Sequence, residues 1–84
     1  MTITARFFAL FREAAGRDRL TLAVPDDTTV DHLWPHLAAV EPGLARAAHL
    51  ATFSGLAING QWVKPGHPLH DGDEVAFLPP VSGG

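Results

Sequence analysis

One main stretch of this chain carries helical periodicity, and that limits its architecture to a sheet with a single covered face. Val30, Leu33, Trp34, Leu37 and Val40 recur at helical spacing and line one apolar stripe. Thr28 or Thr29 offers the N-cap. Pro35 conflicts with a continuous helix, because an interior proline removes a backbone donor and clashes one turn back, at about 3 kcal/mol. The helix is therefore expected to kink there, or to become regular only near Trp34.

The segments around it alternate with the period of strands. In residues 2–10, Ile3, Ala5, Phe7 and Ala9 share one face, with Thr4, Arg6, Phe8 and Leu10 on the other. Residues 11–16 are read as a short turn stopped by Gly16. Leu20, Leu22 and Val24 mark a second strand, ended by Pro25 and Asp26-Asp27. The close spacing predicts an antiparallel hairpin. Glu41-Pro42-Gly43 breaks the helix, and residues 44–50 suit a short second one. Leu56-Ala57-Ile58 and Gln61-Trp62-Val63 flank Asn59-Gly60, a strong two-residue turn because both positions accept positive φ. Asp71-Gly72-Asp73 turns the chain into a last strand over residues 74–78.

One helix covers one face of such a sheet. With Phe7, Val75 and Phe77 on the covered side, Phe8 and Leu78 fall on the open side, joined by Trp62. An exposed apolar patch of this kind marks a partner surface.

The chain has 84 residues, 46% of them apolar, enough for one modestly sized domain. It has no cysteine, so neither a disulfide nor a thiolate metal site holds it together. The net charge is −3 and the six basic residues are scattered, a poor footprint for nucleic acid. No run approaches the ~18 apolar residues of a membrane span, and no basic-then-apolar leader opens the chain. A cytoplasmic protein is expected.

The end of the sequence has its own chemistry. Residues 1–78 read as the folded domain and 79–84, Pro79-Pro80-Val81-Ser82-Gly83-Gly84, as a flexible tail. Glycine leaves the terminal carbonyl uncrowded, which suits entry into a narrow active site. The Gly84 carboxylate, with a reference pKa near ~3.5, is ionised at neutral pH and a poor electrophile, so acyl chemistry there needs outside activation. The stem spans at most ~20 Å at ~3.3 Å per residue, and Pro79-Pro80 stiffens its base. Rival sites are weak. His32 and His36 stand four apart but lack a third ligand, and His67, His70, Asp71 and Asp73 surround ordinary turn chemistry. His49 has no companion, and neither Ser54 nor Ser82 has nucleophile-elbow context. No metal is expected. Arg12 and Glu13 suit partner contact or solvent equally, and Lys64 reads as solvated.

Three segments carry a family resemblance: residues 6–16 (Arg6-Phe7-Phe8-Ala9-Leu10-Phe11-Arg12-Glu13-Ala14-Ala15-Gly16), residues 56–60, and residues 69–84, with Asp71-Gly72-Asp73-Glu74-Val75 and the Phe77-to-Gly84 ending. The chain resembles the ubiquitin-like sulfur carriers, most closely the small subunits of molybdopterin synthase. The resemblance implies an α+β, β-grasp fold: a mixed sheet of four to five strands with one main helix on one face. It implies that Gly84 is adenylated by an ATP-dependent, ubiquitin-activating-like enzyme and thiocarboxylated from a persulfide donor. The sulfur then passes to a cyclic pyranopterin precursor in molybdenum cofactor biosynthesis. The partners implied are that activating enzyme and the synthase large subunit, in a heterotetramer. Phe8, Trp62 and Leu78 would dock beside the stem. The chain would bind no cofactor and hold no catalytic pocket, ATP being used by the partner. Alternatives are a carrier for thiamine, cysteine or tRNA thiolation, a protein modifier joined through Gly84, and an interaction domain with an inert tail.

Overall fold

The computed structural model describes residues 1–48 and 55–78. In chain order these form β1 (Thr2–Phe7), α1 (Ala9–Ala15), β2 (Arg19–Ala23), a 3-10 turn (Val30–His32), α2 (Leu33–Val40), α3 (Pro42–Arg46), β3 (Gly55–Ile58), β4 (Gln61–Trp62) and β5 (Glu74–Leu78). The strands make one mixed sheet in the order β2-β1-β5-β3-β4. Only the central pair, β1 and β5, is parallel. Parallel neighbours need a long crossover, and the helices lie within the chain that joins them. This is the β-grasp arrangement.

The period-2 pattern sends Ile3, Ala5, Phe7, Val75 and Phe77 toward the helices, where Phe11, Leu33, Leu37 and Leu44 complete the core. Phe77 is the aromatic hub. Its ring lies 5.3 Å from Trp34 and 6.4 Å from both Phe7 and Phe11, edge-on to Trp34 and Phe11.

Several expectations are corrected. β1 ends at Phe7, not at residue 10, and the expected turn over 11–16 is the helix α1. Ala9 redirects the chain at φ 49°, which breaks the strand alternation and leaves Leu10 exposed. Phe11 and Ala15, four apart, then share the buried side of α1. Gly16 caps it at φ 74°, its N–H donating to the Arg12 carbonyl. β1 and β2 are antiparallel as expected, but a helix joins them instead of a tight turn.

Thr29 flanks the 3-10 turn without capping it through its side chain. The regular helix begins at Leu33, so Pro35 is its third residue. Its missing N–H is among those a first helical turn leaves unbonded anyway, which removes the conflict. Val40 does not join the buried stripe; it is exposed.

The second short helix lies earlier than expected, with Pro42 at its first position. Residues 49 and 50, placed in it from sequence, lie outside the described residues. Gly43 packs so tightly on α1 that a Cβ there would overlap the Ala14 carbonyl oxygen. The Asn59-Gly60 turn forms as expected, with φ of 50° and 84°.

Candidate functional site

The face of the sheet away from the helices is organised in rows by strand register. One row runs Arg19, Arg6, Ala76, Ala57, Trp62, across β2, β1, β5, β3 and β4. The next row back is polar, with Thr21 opposite Thr4 and Thr4 aligned with Glu74. The next row forward is apolar, with Leu78 opposite Gly55. Phe8 adjoins it, because the chain is still extended there (φ −126°, ψ 150°) and the side chain follows Arg6 onto the same face.

The three residues read from sequence as a docking patch are thus on one face. Phe8 and Leu78 are half-buried, and Trp62 is 71% exposed. The Arg6 guanidinium lies 5.3 Å over the Phe8 ring and reaches the Glu74 carboxylate at 3.4 Å. Small residues, Gly55, Ala57 and Ala76, keep the floor between the aromatic groups low.

Gly55 was not singled out from sequence. The Trp62 ring occupies the space that a side chain at Gly55 would need. A glycine opening a strand one turn before an aromatic residue on its hairpin partner was the available signal.

β5 runs parallel to β1, so the chain passes Leu78 at the same end of the sheet as Phe8. Pro79, Pro80, Val81, Ser82, Gly83 and Gly84, the proposed stem and reactive end, lie outside the described residues, as do His49 and Ser54.

The rival clusters are structural. Asp73 accepts from the Asn59 side-chain amide at 3.0 Å and from the His70 N–H at 2.8 Å. Asn59 in turn accepts from the Glu74 N–H at 3.0 Å, which ties the β3–β4 turn to the start of β5. The Thr29 hydroxyl donates to Asp31 at 2.7 Å, and this hydrogen bond holds the Asp31 carboxyl below its ordinary range. Among the described residues, no three histidine or acidic side chains gather as a metal site.

A family model, the ThiS family, matches residues 5–84. The chain belongs to the ThiS family. A relative from Escherichia coli (strain K12), named molybdopterin synthase sulfur carrier subunit, is 44% identical over 98% of this chain and 99% of its own. Among solved structures, small archaeal modifier protein 1 of H. volcanii superposes with a TM-score of 0.81 at 28% identity, covering 95% of this chain and 98% of that one. A complex of subunits 1 and 2 of molybdopterin-converting factor from Helicobacter pylori 26695 contains a chain that matches at TM-score 0.65 and 25% identity, with both chains fully covered. The sulfur-carrier resemblance read from the sequence therefore stands. No helix among the described residues is long and apolar enough to cross a membrane.

Proposed function

We propose that this ThiS-family chain is the sulfur carrier of molybdopterin synthase, acting through the Gly84 carboxylate. The observation that carries this is the near end-to-end similarity to a named carrier of that enzyme, in a chain that finishes on Gly83-Gly84. An ATP-dependent activating enzyme supplies the electrophile. The carboxylate attacks the α-phosphorus of ATP, pyrophosphate leaves, and the acyl carbon becomes reactive. A persulfide sulfur then displaces AMP, and a thiol reduces the resulting disulfide to release the thiocarboxylate. The large subunit of the synthase receives residues 79–84 in its active site, where sulfur passes to the pyranopterin precursor. Phe8, Trp62 and Leu78 dock the body beside that entry, in a heterotetramer with two copies of each subunit and a cytoplasmic setting.

The test is intact-mass analysis after incubation with the activating enzyme, ATP and a persulfide donor. A gain equal to one sulfur-for-oxygen exchange is expected, and it disappears when Gly84 is deleted. No gain, or a gain that survives the deletion, rejects the assignment.

Similarity to an archaeal small modifier protein favours a second reading, attachment of Gly84 to lysines of other proteins. Conjugate ladders that vanish on removing Gly83 and Gly84 would identify it.

A further inference from the structure

We propose that Arg6 and Arg19 form a carboxylate-recognition pair, selecting a partner protein that presents an acidic side chain beside an apolar patch. This rests on the carrier function proposed above and deepens it by naming the chemistry of the partner surface.

Arg6 and Arg19 are direct cross-strand partners on the open face. Like charges placed directly opposite weaken a strand pair. Arg6 is only loosely compensated, by Glu74 at 3.4 Å, and its guanidinium is held over Phe8. Among the described residues, no carboxylate lies within ion-pair distance of Arg19. The two arginines therefore project from neighbouring strands onto one face, beside the half-buried Phe8, and each guanidinium can offer the forked hydrogen bonds that a carboxylate accepts.

The rest of the molecule sharpens the choice. The chain carries a net charge of −3. Asp71 sits at the opposite end of β1, held by the Thr2 N–H, while the nearby Asp26 is neutralised by the Met1 amino group. An acidic partner surface is repelled there and attracted at the arginine pair, which orients the approach toward the end where the chain passes Leu78. Phe8 and Leu78 beside the pair, with Trp62 at the far end of the same face, make a protein surface, not a free anion, the fitting occupant.

The test measures association of the full chain with the synthase large subunit from the same organism, at low and high salt. The double variant Arg6→Gln/Arg19→Gln should bind roughly tenfold more weakly or worse, and Arg19→Glu weaker still. The salt dependence of the on-rate should flatten in the double variant. Its melting temperature should stay close to that of the parent chain, relief of the like-charge pair offsetting the lost Arg6–Glu74 and Arg6–Phe8 contacts, so weak binding is not misfolding. Equal affinity of parent and double variant overturns the arginine pair alone and leaves the carrier function standing. Failure of the parent chain to bind the large subunit overturns both.

Discussion

The ring of Trp62 takes the place of the side chain that Gly55 lacks. One residue on β4 thereby shapes the floor of the open face on β3, and the other side of the indole is exposed. Gly55→Val should lift the ring away. With fluorotryptophan incorporated, the Trp62 resonance should move while that of buried-side Trp34 stays in place. Affinity for the large subunit should fall about tenfold, with stability changed by less than ~1 kcal/mol, because a β-branched residue suits a strand. An unmoved Trp62 signal would refute the arrangement.

Gly43 and the Ala14 carbonyl bring α3 against α1 with no room for a methyl group. Gly43→Ala should cost about 3 kcal/mol, the upper range for overpacking. Gly66, with open space around its Cα, is the control. Gly66→Ala should be neutral or stabilising by about 0.5 kcal/mol through the unfolded chain. Urea denaturation of both variants checks the contrast, and similar losses at the two sites would contradict it.

Asn59 does two things at once: it turns the chain at positive φ and braces Asp73 and the Glu74 N–H. Asn59→Gly keeps the turn and loses the brace, an expected loss of about 1 kcal/mol. Asn59→Ala loses both and should cost about 1 kcal/mol more. Thermal melts that rank the two variants in the reverse order would show the brace to be idle.

Asp31 sets an acid-side limit. The hydrogen bond from Thr29 depresses its folded-state carboxyl, with lesser help from its own backbone N–H and from His32. A depressed carboxyl stabilises the fold above its ordinary, unfolded pKa, and that stabilisation fades as pH falls through the lower folded value. Thr29→Val should raise the Asp31 midpoint in a carbon-detected carboxyl titration and remove this part of the acid dependence. An identical midpoint in both proteins would rule out the hydroxyl as the cause.

How much was legible in the sequence depended on whether a local signal existed. Asn59-Gly60 fixed its own turn, and the alternation of Val75 and Phe77 against Ala76 and Leu78 fixed both faces of β5. Alternation in the first strand likewise placed Phe8 on the open side. α1 was missed because the apolar run continues past Phe7 through Leu10 with no residue that marks a stop, while the turn falls at Ala9, a residue with no intrinsic preference for φ of 49°. The pairing of Phe11 with Ala15 before Gly16 was the usable clue. Pro35 left two readings open, a kink or a late regular start, and the helix start at Leu33 bears out the second, which makes it a first-turn residue. The placement of Trp62 over Gly55 is a tertiary contact that neither residue announces alone.

The central position of β5 has a mechanical consequence. Tension arriving through Leu78 acts along the strand axis and is shared by hydrogen bonds to β1 on one side and β3 on the other. Loaded in that direction the bonds must slide together, whereas a terminal strand at the sheet margin would peel one bond at a time. A partner that grips the carboxyl end and lets it go can therefore tug on this domain without unzipping it.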